Sequence, residues 1–162
     1  MRPNAPTPGP TIHANALLID AVAIIIRGAS GAGKSALTLD LLAAAREAGR
    51  FAALIGDDRV RIEAAAGRLI VHAPPVIAGL IERRGAGIES TRFEPAGIVA
   101  LVVDLTDSPP ARLPDPTETT AELLGIHVPR LTIAAGGSPR SRDVLATLDH
   151  VVSMRKTFPA PQ

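Results

Sequence analysis

Lys34 and Ser35 close the run Gly28-Ala29-Ser30-Gly31-Ala32-Gly33-Lys34-Ser35, whose Gly-x-x-x-x-Gly-Lys-Ser spacing is that of a phosphate-binding loop. The chemistry follows from the residue types. Glycines let successive backbone N–H groups point into one concavity, and the start of the following helix adds partial positive charge. The Lys34 ammonium reaches the β- and γ-phosphates of a nucleotide, and the Ser35 hydroxyl is a ligand for Mg²⁺. An accidental Gly-rich turn is the competing reading. Both flanks argue against it, because an apolar run, Val22 to Ile26, precedes the loop and a helix-forming run, Ala36 to Arg50, follows it.

A phosphate cradle does not say what is done with the phosphate; carboxylates decide that. Asp57-Asp58 follows a short apolar run, Phe51 to Ile55, and so stands at a strand end, where open α/β sheets place their ligand crevice. One carboxylate of such a pair can hold a metal while the other takes a proton from an attacking hydroxyl. Gly56-Asp57-Asp58 is equally good chemistry for a solvated turn. Asp104, closing Val102-Val103-Asp104, has the look of a second metal-holding aspartate at a strand end, or of an ordinary loop cap. His13, His72, His127 and His150, taken singly, read as structural or solvated. Ser138 to Arg142 has phosphate-binding residue types, but a charged helix start is the plainer reading.

The elements that must carry these residues alternate between strand and helix. Thr11 to Ile19 and Val22 to Ile26 read as a hairpin turned at Asp20-Ala21, its second strand buried on both faces. The helix after the loop has Leu37, Leu41, Leu42 and Ala45 on one face and Gly49 where a left-handed C-terminal residue belongs. Arg59 to His72 reads as a second hairpin around Ala66-Gly67, and the loop after Pro74-Pro75 leads to the stretch Glu82 to Ile88. Gly97 to Leu105 is the central strand, Thr106 to Thr120 a Pro- and Asp-rich surface loop, and Arg130 to Ala134 a last short strand. Ser138-Pro139 then starts a helix over Arg140 to Lys156, with Val144, Leu148, Val151 and Val152 inward. The pattern is α/β with a mixed sheet. It predicts one domain over residues 11–157, with residues 1–10 and 158–162 as disordered ends.

Composition excludes several classes. Lys+Arg of 17 against Asp+Glu of 16 leaves a formal charge of +1, without the basic footprint of a dedicated nucleic-acid binder. Three Phe and no Trp or Tyr leave no aromatic platform for stacking bases. With no Cys there is neither a disulfide framework nor a thiolate site, which is compatible with a cytoplasmic protein. The most apolar stretch, Ala16 to Ile26, is interrupted by Asp20 and falls short of the ~20 residues a spanning helix needs. Met1 to Pro10 lacks the apolar core of a signal peptide.

Three stretches together resemble the catalytic domain of the HPr kinase/phosphorylase family: Thr11-Ile12-His13-Ala14-Asn15, the loop Gly28 to Ser35, and Gly56-Asp57-Asp58-Arg59-Val60. Ile81-Glu82-Arg83-Arg84-Gly85-Ala86-Gly87-Ile88 is similar to the family's Glu-x-Arg-Gly-x-Gly-Ile signature. Arg112-Leu113 and Leu124 to Arg130 align with the family in order, so the resemblance runs over residues 11–145. It implies a P-loop core of the HPr kinase and PEP carboxykinase type, with a mixed sheet and flanking helices. It also implies an ATP- and Mg²⁺-dependent serine kinase acting on the phosphocarrier protein HPr. A reverse reaction is implied too, in which inorganic phosphate attacks phosphoserine and pyrophosphate leaves. Carried over by position, Asp58 is the proton acceptor and donor, Lys34 polarises the phosphates, and Ser35 and Glu82 hold Mg²⁺. His13 and Arg112 line the phosphate site, and Asp57 is an auxiliary metal or charge partner. Asp104 is demoted. The family's hexameric assembly comes with the resemblance.

The chain departs from the family in three places. Residues 1–10 stand where the family has an N-terminal domain, so the likeness is to its truncated, catalytic-domain form. Ala36 follows the loop where the family commonly has Glu. Ala134 to Arg142 keeps Arg140 and Arg142 but not the family's Pro-Gly-Arg-Asn order, which bears on the reverse reaction. A nucleotide-sensing module without transfer, or a small-molecule kinase or NTPase using Asp104, are the alternatives. Glu82-x-Arg84-Gly85-x-Gly87 argues against the second and Asp58 against the first.

Overall fold

Apolar runs too short for helices set the architecture, and their burial shows how. A computed structural model of the chain describes residues 9–108, 110, 112–136 and 140–157. The elements are β1 (Thr11–His13), β2 (Asn15–Ile19), β3 (Val22–Arg27), α1 (Lys34–Glu47), β4 (Ala52–Gly56), β5 (Arg59–Ala65) and β6 (Arg68–His72). They continue with β7 (Leu80–Arg83), β8 (Gly87–Ser90), β9 (Ala96–Thr106), β10 (Thr120–Leu123), β11 (Ile126–Ala134) and α2 (Ser141–Thr157). No helix among them is long and apolar enough to cross a membrane.

β9 is the spine of the mixed sheet, whose order is β1-β5-β6-β9-β3-β2-β4. Its first residues pair antiparallel with β6, and its last pair in parallel with β11, which continues into the β10 hairpin. On its other side β9 pairs in parallel with β3. β2 lies antiparallel between β3 and β4, so β3, β4, β9 and β11 all end at one edge, and β2 begins there. That edge is the ligand crevice of an open α/β sheet.

Alternation along β3 explains its double burial. Ile24 and Ile26 face a core with Leu37, Leu41 and Leu42 of α1 and Val144 and Leu148 of α2. Ala23 and Ile25 face a second core with Val60, Ile62, Leu69 and Val71 of the curled β5–β6 wing. α1 ends as its sequence predicts. The Gly49 N–H donates to the Arg46 carbonyl and the Arg50 N–H to the Ala45 carbonyl, with Gly49 at φ 75°.

Three expectations need correcting, and one stretch gains an element. Thr11 to Ile19 is two strands, because β1 leaves to pair with β5 while β2 stays between β3 and β4. The stretch around Glu82, which its sequence assigns to no element, is a hairpin, β7–β8; its exposed residues lack the alternation that marks a strand. β11 begins four residues before Arg130, because its first half pairs with β10 rather than with the sheet core. Val152 of α2 packs against the first core as expected, but Val151 is only half buried and does not join it, so the most buried residues of the inward face are Val144 and Leu148. The expected Ser138-Pro139 helix start and the two disordered ends fall wholly or largely outside the described residues.

Candidate active site

The loop after β3 leads straight into α1. Gly33 takes φ 99°, in the left-handed region that favours glycine, and caps the helix without a side-chain bond. The first amides of α1 therefore remain available at the helix's positive end. Lys34 is buried, and its Nζ donates to the carbonyls of Gly28 (2.9 Å) and Ala29 (3.1 Å). These bonds curl the loop around the ammonium group. The cleft in front, about 760 Å³, is lined by Ser30, Gly31, Gly33, Lys34 and Ser35 of the loop. Asp57, Asp58, Glu82, Arg83 and Arg84 line it from other elements.

The carboxylate pair sits opposite the helix start. Ser35 Oγ donates to Asp57 Oδ1 at 2.6 Å, and Asn15 Nδ2 donates to the same oxygen at 2.8 Å. The backbone N–H of Glu82 donates to Asp57 Oδ2 at 2.9 Å, which ties β7 to the β4 end. Asp57 thus joins the loop, β2 and the hairpin. Asp58 differs. It takes φ 65° at the turn into β5, and its side chain is 65% exposed beside His13, whose Nε2 lies 2.5 Å from Asp58 Oδ1. Adjacent residues at a strand end point apart, and here one carboxylate faces the helix start while the other stands towards solvent at the cleft.

Ser35, Asp57 and Glu82 offer a hydroxyl and two carboxylates, an oxygen set that suits Mg²⁺. Among the described residues no three His, Cys, Asp or Glu side chains converge into a closed metal cage. Such an open set fits a cation that takes further ligands from phosphate and water. Of the two aspartates that could meet Ser35, the structure brings Asp57. Asp104 is committed elsewhere. Its Oδ1 accepts from Arg27 Nε (2.7 Å), and its Oδ2 accepts from Arg27 Nη2 (2.7 Å) and Arg130 Nε (2.6 Å), binding the ends of β3, β9 and β11.

Asp104→Asn is accordingly expected to lower the melting temperature, at a cost of about 2 kcal/mol given the partly exposed guanidinium groups. Nucleotide affinity at the phosphate loop should stay within about 2-fold. Thermal melts beside nucleotide titrations with and without Mg²⁺ check this; loss of the Mg²⁺-dependent binding at unchanged stability would restore Asp104 as a metal aspartate.

The structure brings Lys34, Ser35, Asp57, Asp58 and Glu82 to one cleft, with His13 against Asp58. Gly28, Ala29 and Ala32 complete the loop, and Ala32 N–H donates to the Ala29 carbonyl. Arg112 is not brought among them. It lies exposed in the loop leaving β9 and does not line the cleft. Two features had no role assigned from the sequence. Asn15 is fully buried and bonds to both aspartates' residues, and its only signal was a polar residue inside an apolar strand. Arg83 at the cleft is paired across the hairpin to Glu89 at 2.9 Å.

A family model described as HPr Serine kinase C-terminal domain matches residues 7–153. The HPr kinase/phosphorylase of Geobacillus thermodenitrificans is 34% identical over 76% of this chain and 42% of its own length. That of Exiguobacterium sibiricum is 32% identical over the same shares. The solved Hpr(Ser) kinase/phosphatase from Coxiella burnetii matches with a TM-score of 0.70 at 28% identity, covering 91% of this chain and 94% of that one. The chain spans less than half the length of the two curated relatives. A fold match over nine-tenths of both chains, together with a sequence model that spans the phosphate loop and the aspartate turn alike, leaves one assignment: the chain belongs to the HPr kinase/phosphorylase family, by its C-terminal domain.

Proposed function

We propose that the chain is a cytoplasmic, ATP- and Mg²⁺-dependent serine kinase whose acceptor is the small phosphocarrier protein HPr. The observation that carries this reading is the Asp57–Asp58 turn. It is tied to the helix start through Ser35 and presents a second carboxylate, Asp58, at the mouth of the same cleft. A module that only senses nucleotide has no use for that second carboxylate.

Phosphoryl transfer asks the protein for positioning and charge neutralisation. The loop amides and Lys34 hold the β- and γ-phosphates, and Arg83 and Arg84 add positive charge along the cleft. Ser35, with Asp57 and Glu82 beside it, would hold Mg²⁺, which would neutralise phosphate charge there. Asp58 accepts the proton of the acceptor serine as its Oγ bonds to the γ-phosphorus. The bond from phosphorus to the β–γ bridging oxygen breaks, and ADP leaves. His13 Nε2 pairs with the Asp58 carboxylate. In reverse, a phosphate oxygen bonds to the phosphoserine phosphorus as the bond from that phosphorus to serine Oγ breaks, protonated Asp58 gives its proton to the departing serine oxygen, and the pyrophosphate formed is released. Arg112 joins the phosphate site only if its loop closes over the cleft. The hexamer belongs to the same reading and is checked by sedimentation.

Incubation with γ-labelled ATP and HPr, followed by mapping of the labelled residue, tests the proposal. Label on one HPr serine is expected; ATP binding without label would leave a sensor. The reverse reaction is expected to be slower than the forward one, because the sequence Ala134 to Arg142 keeps Arg140 and Arg142 but not the family's Pro-Gly-Arg-Asn order. Pyrophosphate release from phosphoserine-HPr at the forward rate would contradict this.

A further inference from the structure

Asn15 lies at the start of β2 with its side chain fully buried, and every polar atom it carries is used. Its Oδ1 accepts from the backbone N–H of Asp58 at 2.9 Å. Its Nδ2 donates to Asp57 Oδ1 at 2.8 Å and to Thr38 Oγ1 at 3.1 Å, with Ser35 Oγ a longer 3.4 Å away. The orientation of the carboxamide is settled by its partners. A backbone N–H only donates, so it faces the oxygen. An ionised carboxylate only accepts, so it faces the NH₂ group. Thr38 spends its own proton on the Lys34 carbonyl, at 2.8 Å, which leaves a lone pair for Asn15.

These bonds span three elements. Ser35 and Thr38 belong to the first turns of α1, Asp57 and Asp58 to the turn after β4, and Asn15 to the strand between β3 and β4. The Asp58 peptide is gripped from both sides: its N–H by the Asn15 side chain and its C=O by the Ala14 N–H at 3.1 Å. Asp58 is held there at φ 65°, in a region non-glycine residues rarely adopt, though Asp more readily than most.

We propose that Asn15 is a positioning residue for phosphoryl transfer: its carboxamide registers the Asp57–Asp58 turn against the start of α1, and so sets where the Asp58 carboxylate stands relative to phosphates held by Lys34 and Ser35. The inference rests on the kinase reading for its consequence, but the clamp itself is a property of the free protein. Asn15 does not reach the cleft and is not a catalytic residue. Its loss acts through Asp58.

Two measurements test this. Amide hydrogen exchange at Asp58 in the nucleotide-free protein is expected to be protected in the wild type and to quicken at least about 10-fold in Asn15→Leu, which has no acceptor for that N–H. In phosphorylation of HPr, Asn15→Leu is expected to lower kcat by about 10- to 10²-fold with KM for ATP within about 2-fold, since the loop amides that hold nucleotide are untouched. In an Asp58→Asn background the same substitution should change kcat by less than about 2-fold, because the two residues act as one unit. If Asn15→Leu does not fold, Asn15→Ser, too short to reach the Asp58 N–H, carries the same expectations. A role in stability alone would lower the melting temperature and leave kcat of the folded enzyme unchanged. That result, additive losses in the double variant, or unchanged exchange at Asp58 overturns the proposal. A wild-type chain that leaves HPr unlabelled would overturn the kinase reading instead, and the exchange measurement then decides the clamp by itself.

Discussion

Asp58→Asn is expected to bind Mg²⁺–ATP close to wild-type strength while kcat falls by at least about 10²-fold in both directions. A serine hydroxyl holds its proton tightly at neutral pH and is a poor nucleophile until a base within hydrogen-bond reach takes that proton. Such a base contributes ~10²–10⁴-fold. Asp58 is placed for the task. Its carboxylate stands at the cleft mouth beside His13, whereas Asp57 is engaged by Ser35, Asn15 and the Glu82 N–H. Asparagine preserves size and much of the turn's preference for positive φ, so the substitution removes the base with little disturbance of the backbone. Asp57→Asn is expected to act on metal affinity instead, because it alters the carboxylate that Ser35 bonds. Isothermal titration with non-hydrolysable ATP, beside single-turnover transfer to HPr, separates the two. Loss of Mg²⁺–ATP binding in Asp58→Asn with kcat preserved at saturation would make Asp58 a metal-site carboxylate.

Lys34→Ala is expected to abolish measurable transfer and to weaken ATP binding by at least about 10²-fold, the loss of a charge-assisted contact in a sheltered site. The ammonium also does structural work in the loop, where it bonds the carbonyls of Gly28 and Ala29. Removing it frees those carbonyls and loosens the curl that presents the amides. Lys34→Arg is therefore not a conservative control, since the longer planar group does not fit a site that is 6% exposed. Lys34→Met, which keeps the stem, is the better one: recovery of fold without recovery of binding would assign the effect to the charge. Unchanged ATP binding and turnover in Lys34→Ala would remove the phosphate loop from the mechanism.

What could be read from the chain alone was local. The Gly28 to Ser35 spacing states its own chemistry within eight residues, because the backbone of one turn and one helix start makes the whole cradle. The inward face of α1 and its Gly49 stop follow from a period of 3.6 residues and one left-handed position. The double burial of β3 follows from an unbroken apolar run. None of these needs a partner distant in the chain. Which carboxylate faces Ser35 could not be read in this way. Asp57 and Asp104 both end apolar strands, and family resemblance alone separated them. The sheet order decides, since it sets Asp104 beside Arg27, 77 residues away, and leaves Asp57 to the helix start. Asn15 escaped for the same reason. A polar residue in a strand carries no local signal of what it bonds, and its partner Asp57 is 42 residues on. The β7–β8 hairpin lies outside the main sheet and buries little, so the alternation that would announce it was never required. Local spacing determined the phosphate cradle; the pairing of β2 between β3 and β4 decided which acid groups stand in front of it, because only closure of that sheet brings residues 13–15, 35 and 57–58 within bonding distance.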